Sequence, residues 1–343
     1  MKPTATRLIV ILLLFSILLT CLPACSKRQK KFEASWFEYF DTFSTLTAYA
    51  ESQEQFDEYA NLCQSMLEKY HQLLDIYHDY EGIVNLKTIN NSSSPKSIAI
   101  DPKLGEFLSF GKEMHRLTDG YTNIAMGSVL SLWHNARKNQ TLPENEALIE
   151  ANDHVNIDDL VLSEDKASVQ KNDARLQIDA GALGKGFVAQ KIAETLKFSG
   201  CHTFLLNLGG NTVSGGIKPD GTPWLVGIEN PTNNETPNLS VKLSNASLVT
   251  SGSYQRYFTV NERNYHHIIH KDTLHPESYC LSVSVLHRDS GIADALSTAL
   301  FCMTVEDGKK LLQEIDDAEA LWLFPDGSIK TTDGFMNHVQ TEK

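Results

Sequence analysis

An aspartate, a lysine and three glycines fall within eight residues at Asp179-Ala-Gly-Ala-Leu-Gly-Lys-Gly186, between the strand-like Arg175-Leu-Gln-Ile178 and an amphipathic stretch that runs to Leu196. A glycine turn that opens into a helix offers unpaired N–H groups and the positive end of the helix dipole, which suit phosphate. Gly181, Gly184 and Gly186 would let backbone approach a ligand with no Cβ in the way. The spacing G-x-x-G-x-G is neither a Gly-Lys-Ser/Thr phosphate loop nor the usual dinucleotide fingerprint. A plain strand-to-helix connection has the same look, so both readings stand at this point.

Three further segments carry polar chemistry. Asp294 and Thr298 lie four apart in a helical pattern and so share a face. A carboxylate and a hydroxyl are hard oxygen ligands, fit for Mg²⁺ bound together with phosphates, although such pairs are common on helices. Tyr265-His-His-Ile-Ile-His270 reads as a strand with His266, Ile268 and His270 on one side and His267 on the other. A zinc site would need those imidazoles to converge; structural and surface histidines explain the pattern equally. Val249-Thr-Ser-Gly-Ser-Tyr254 is a polar glycine turn, either a ligand loop or a turn alone.

The elements that must position these groups follow from periodicity. Apolar residues at helical spacing predict a long helix over 56–77, and further helices over 104–118, 130–138, 144–153 and 181–197. A helical stretch over 292–315 breaks near Thr304. Alternating and β-branched runs predict strands over 37–50, 204–208, 224–228, 247–250, 256–258 and 281–286, with a Pro-Asp-Gly hairpin joining 320–324 to 328–332. The sum is α+β with a large, mainly antiparallel sheet system rather than regular βαβ alternation.

The N-terminus reads as an export signal. Lys2 and Arg7 precede an apolar run over 8–22, followed by Leu22-Pro-Ala-Cys25. The run is short for a spanning helix, which needs about 20 apolar residues. A Cys directly after a small residue looks like a bacterial lipobox, a better fit than Cys21, which follows Thr20. Residues 1–24 are therefore expected to be a lipoprotein signal peptide, with Cys25 the lipidated first residue. Residues 25–35 are expected to be a tether and 36–338 the folded domain, extracytoplasmic and anchored to the bacterial cell membrane. The chain's net charge is −13, and −15 once Lys2 and Arg7 are removed, which excludes a nucleic-acid binder. Cys63, Cys201, Cys280 and Cys302 show neither C-x-x-C nor zinc spacing and read as buried free thiols.

Taken in order, Phe40-Asp-Thr-Phe43, Asp179–Gly186, Leu206-Asn-Leu-Gly-Gly-Asn211, Gly227-Ile-Glu-Asn-Pro231, Thr250-Ser-Gly-Ser-Tyr254, His267-Ile-Ile269 and Ala293-Asp-Ala-Leu-Ser-Thr-Ala299 resemble the ApbE family of FAD:protein FMN transferases. The resemblance runs from about residue 37 to about 322. It implies an ApbE-like fold with FAD held between subdomains, and Mg²⁺-dependent transfer of FMN from FAD to a Ser or Thr of an exported flavoprotein subunit of a respiratory complex. It also implies the metal ligands Ala182 (through its carbonyl), Asp294 and Thr298. The implied FAD contacts are Phe40, Tyr77, Tyr121, Thr122, Asn123, Asp179, Lys185 and Ile268, with His267 activating the acceptor hydroxyl. The chain departs from the family pattern at Asn123, where an acid is usual, at His270, where Asp is frequent, and at Leu274-His275-Pro276, which lacks the usual Gly. An FAD pyrophosphatase giving FMN and AMP is the alternative activity. A solute-binding lipoprotein is the alternative of another class, and would show two similar α/β lobes.

Overall fold

The folded chain opens with strand β1 (Lys30–Trp36), antiparallel to β2 (Ser44–Ala50), with Lys30 opposite Ala50 and Trp36 opposite Ser44. The stretch expected as a tether over 25–35 thus belongs to the fold from residue 30 onward. The reason is alternation: Phe32, Ala34 and Trp36 point one way and pack on the main core. The strand expected over 37–50 is shorter, because residues 37–43 turn a corner with Phe40 and Asp41 at φ 56° and 49°. The computed structural model describes residues 29–93, 95–231, 239–254, 256–277 and 279–340. The expected signal peptide and the lipidation site Cys25 lie outside the described residues.

Helix α1 (Gln53–Leu74) starts where Ser52 Oγ accepts from Gln55 N at 3.3 Å, and buries Phe56, Tyr59, Cys63, Leu67, Tyr70, Leu73 and Leu74 along one stripe. Helix α2 (Leu86–Asn90), strand β3 (Ile98–Ala99), helices α3 (Pro102–Leu117), α4 (Gly127–Asn139) and α5 (Asn145–Asn152), and strands β4 (Leu160–Leu162) and β5 (Ser168–Lys171) follow. Helix α6 (Gly184–Phe198) begins three residues later than its sequence pattern. Strands β6 (Phe204–Leu208), β7 (Asn211–Gly215), β8 (Trp224–Ile228), β9 (Leu239–Leu243), β10 (Ser247–Gly252), β11 (Tyr257–Val260), β12 (Arg263–His266) and β13 (Ser282–His287) come next. The chain closes with helices α7 (Ser290–Phe301) and α8 (Val305–Leu312) and strands β14 (Glu319–Leu323), β15 (Ile329–Thr331) and β16 (Val339–Gln340).

The main sheet has eight strands in the order β1-β2-β6-β7-β10-β13-β14-β15, each antiparallel to its neighbours. Its central strands carry apolar residues on both faces because both faces are covered. Phe204, Leu206, Val249, Val283, Val285 and Trp322 face the helices, while Leu205, Leu248, Leu286, Leu321 and Leu323 face the small sheet β16-β9-β8. This is the α+β architecture predicted, and not a pair of similar α/β lobes. Cys63, Cys201, Cys280 and Cys302 are free and buried, as expected, and burial pushes each thiol up. Among the described residues no helix is long and apolar enough to cross a membrane.

Candidate active site

Helices α6 and α7 lie side by side at the main sheet, and the candidate site sits where their facing ends meet. Gly186 permits this approach: a Cβ there would run into the Ser290 carbonyl oxygen and the Asp294 Cβ. Its freed N–H donates to Asp294 Oδ2 at 2.7 Å. The positive end of α6 therefore meets an anion that the protein itself supplies, the Asp294 carboxylate. The sequence reading assigned Gly181, Gly184 and Gly186 to the approach of a ligand. In the fold, Gly186 serves the approach of a helix, and Gly184 N is taken by the Ala180 carbonyl at 2.7 Å.

One helical turn from Asp294, the α7 hydroxyl of Thr298 meets the turn before α6. Thr298 Oγ1 donates to the Ala182 carbonyl oxygen at 3.1 Å, across 116 residues of sequence. With its amide nitrogen turned toward Asp294, Asn211 donates to both carboxylate oxygens at 3.2 Å, and its oxygen accepts from Lys185 Nζ at 3.3 Å. Asp294 is buried, and that burial pushes its carboxyl above the usual range, opposed by the Lys185 charge and the Gly186 N–H. A buried carboxylate short of positive charge, beside a carbonyl and a hydroxyl, is a hard-oxygen set that fits Mg²⁺. The turn through Ser251 is no open loop: it lies at the end of β10, and Ser251 Oγ contacts Ser297 Oγ at 2.8 Å and Thr298 Oγ1 at 3.5 Å, bracing α7.

The three histidines separate. Strand β12 ends at His266, so the expected strand over 265–270 is cut short. His266 is buried, bonded through Nε2 to the Glu277 carbonyl while its Nδ1 accepts from Ile268 N. His270 is also buried and caps a turn, accepting from the Asp272 and Thr273 N–H groups. His267 alone is exposed, on the side opposite its neighbours as predicted. Its Nδ1 lies 3.2 Å from the Arg256 carbonyl, which can only accept, so Nδ1 carries the proton and Nε2 is left basic. The crowding of protein about the ring, with the Arg256 and Lys185 charges, pushes its pKa down to about 4 against the pull of that hydrogen bond. Among the described residues no three His, Cys, Asp or Glu side chains gather as a metal cluster, so the zinc reading has no support there.

The FAD contacts implied by resemblance divide in the same way. Asp179 and Tyr77 reach one neighbourhood through His134, while Lys185 stands by Asn211 and Asp294. Asp179 Oδ1 accepts from Gly181 N at 2.7 Å, and Tyr77 reaches toward Asp179 through His134. Arg256 hydrogen-bonds the Asp41 carbonyl at 3.5 Å, tying the Phe40 corner to the same region. Tyr121 lies against His270, with rings 5.5 Å apart, and beneath Lys271 Nζ at 4.8 Å. Three of the side chains are engaged within the protein. Thr122 is fully buried and donates to the Ala295 carbonyl at 2.7 Å. Asn123 donates to the Val155 carbonyl and accepts from Ala125 N, both at 2.9 Å. Ile268 is packed into the core between β10, β13 and α7. Sequence reasoning missed His134 and Arg256, for which no local pattern gave a signal. It quoted Asn211 within a motif without giving it a role.

This fold is shared with solved ApbE proteins. The ApbE protein of Thermotoga maritima superposes with a TM-score of 0.80 at 23% identity, covering 91% of this chain and 100% of that one. The flavin transferase ApbE of Vibrio cholerae gives 0.76 at 22% identity, with 91% and 100% covered. At such identities the likeness is one of fold. The sequence carries the rest. The ApbE family model matches residues 40–322. The FAD:protein FMN transferase of Treponema pallidum is 31% identical over 270 residues, which cover 74% of this chain and 75% of the relative. That of Haemophilus influenzae is 26% identical over 262 residues, covering 74% and 76%. The chain belongs to the ApbE family.

Proposed function

We infer that this chain is an FAD:protein FMN transferase, an enzyme that moves FMN from FAD to a Ser or Thr hydroxyl of an exported flavoprotein subunit and releases AMP. The observation that carries the reading is the bond of the Thr298 hydroxyl to the Ala182 carbonyl one helical turn from the buried Asp294 carboxylate, with Lys185 reached through Asn211. Mg²⁺ bound there would offset the pyrophosphate charge and polarise the phosphorus under attack. Lys185 Nζ, on the first turn of α6, is placed to pair a phosphate oxygen. His267 Nε2 takes the proton of the acceptor hydroxyl as its oxygen bonds the FMN phosphorus. The bond from that phosphorus to the bridging oxygen breaks, and AMP leaves with the bridging oxygen.

Supporting the cellular setting are the basic and apolar pattern of residues 1–24 and the Cys25 that follows a small residue. We place the mature enzyme outside the cytoplasmic membrane on a lipid anchor, where exported subunits of respiratory complexes are its partners. The exposed His267 ring is open to water as well as to a protein hydroxyl, so hydrolysis to FMN and AMP is the competing outcome. The test incubates the mature chain with FAD, Mg²⁺ and a candidate acceptor domain, and reads in-gel flavin fluorescence together with AMP. Fluorescent acceptor plus AMP supports transfer; AMP with no labelled acceptor supports the hydrolase; no FAD binding with Mg²⁺ present sinks both.

A further inference from the structure

His134, on α4, is in no motif and belongs neither to the oxygen cluster nor to the proton-accepting group, yet it stands between two residues that the family resemblance implies as FAD contacts. Tyr77 Oη lies 3.3 Å from its Nδ1, and Asp179 Oδ2 lies 3.9 Å from its Nε2. Both partners are fixed from behind. Asp75 Oδ1 accepts from Tyr77 N at 2.6 Å, and Asp179 spends Oδ1 on Gly181 N while its own N–H donates to the Ile124 carbonyl at 2.8 Å. That leaves Asp179 Oδ2 and the half-exposed Tyr77 ring as the groups whose aim is still to be set. The His134 imidazole is the group placed between them, joining the loop after α1, helix α4 and the turn before α6.

We propose that His134 is a positioning residue for FAD, holding Tyr77 and the free oxygen of Asp179 in the orientation that receives the nucleotide. This rests on the reading of the site as an FAD site. The carboxylate can only accept, so a proton on Nε2 faces Asp179, and Nδ1 is then the acceptor for the Tyr77 hydroxyl. The 3.9 Å gap is longer than a hydrogen bond, so Asp179 Oδ2 keeps its capacity to accept from a nucleotide hydroxyl or amine. Protonation of the ring would draw that carboxylate onto His134 and away from the nucleotide. The groups facing the ring are Asp179 from the turn before α6, Tyr77 from the loop after α1, Arg137 from α4 itself and Arg256 from the β10–β11 connection. Burial lowers the pKa of His134, Asp179 opposes, and the two arginines reinforce the lowering, so the neutral form is held at pH 7.

The experiment measures KM and kcat for FAD, and FAD binding by flavin fluorescence, from pH 5 to 8 in wild type, His134→Ala and His134→Gln, each with Mg²⁺. His134→Ala is expected to raise KM and the dissociation constant about tenfold, the scale of one lost hydrogen-bonding contact, with kcat within about twofold. In wild type KM should rise as pH falls through the range in which His134 gains its proton. His134→Gln keeps an acceptor for Tyr77 and a donor for Asp179 without a titrating ring. It should restore KM at pH 7 and lose that part of the pH profile. Wild-type binding with an unchanged constant in His134→Ala overturns this assignment alone, as does a parallel loss of kcat and melting temperature that Gln fails to rescue. Failure of the wild-type chain to bind FAD overturns the underlying reading as well.

Discussion

Asp294 is a carboxylate removed from water and held by Gly186 N and the Asn211 amide, with Lys185 one contact further out. Its raised pKa makes it a group that folding tolerates and that a cation would relieve. Asp294→Asn keeps the size and an acceptor for Gly186 N while removing the charge. It should lower Mg²⁺-dependent turnover about 100-fold or more and leave the melting temperature equal or higher, as Mg²⁺ titrations and thermal melts will show. His267 makes a different statement about pH. With its pKa pushed to about 4, the ring is neutral and able to accept a proton at every higher pH. The rate at saturating FAD should therefore show no His267-dependent loss between pH 8 and 5, and fall only as pH approaches 4. An acid limb near 6.5 that disappears in His267→Ala would contradict this. His267→Ala should itself cost about 10²-fold or more in transfer while FAD still binds. The shared face of Asp294 and Thr298 was legible because it rests on local spacing, whereas His267 was singled out only by the family resemblance. The internal partners of Thr122, Asn123 and Ile268 were not legible, since whether a side chain faces a neighbouring carbonyl or the core depends on packing that no short window contains.

At the scale of elements, the α6–α7 contact decides the site. The glycine turn announced a helix start, but local sequence holds no sign that the partner of that start is α7 rather than a ligand. Gly186→Ala forces the two helices apart at Asp294, an overpacking that should cost about 1–3 kcal/mol and weaken Mg²⁺ activation in the same variant. Denaturant midpoints together with Mg²⁺ titration check both halves of that expectation; full stability in the alanine variant would mean that the helices are not in close contact there. The strand ending at His266 teaches the same lesson. Its apolar alternation continues through Ile268, yet pairing stops because β11 reaches its partner limit at Tyr257 opposite His266.

Over the whole molecule, the antiparallel main sheet sets the distances between segments far apart in sequence. β1 is its edge, with Phe32 stacked on Phe56 of α1 at 5.4 Å. A chain starting at residue 29 should keep full thermal stability. One starting at residue 37 should melt about 5 °C or more lower, because β2 and α1 lose their cover. Equal melting of the two would show β1 to be dispensable. By itself the sequence determined the α+β class, most element positions, the Asp294–Thr298 face and the family, since periodicity, turn residues and motif order are all written locally. Only the tertiary structure decided that Ala182 meets Thr298, that Gly186 serves Asp294 and that His134 stands between Tyr77 and Asp179. Those pairs lie from 57 to 116 residues apart except where His134 meets Asp179. Each is fixed by which strands pair and which helix faces touch, a choice made by the packing of the whole chain.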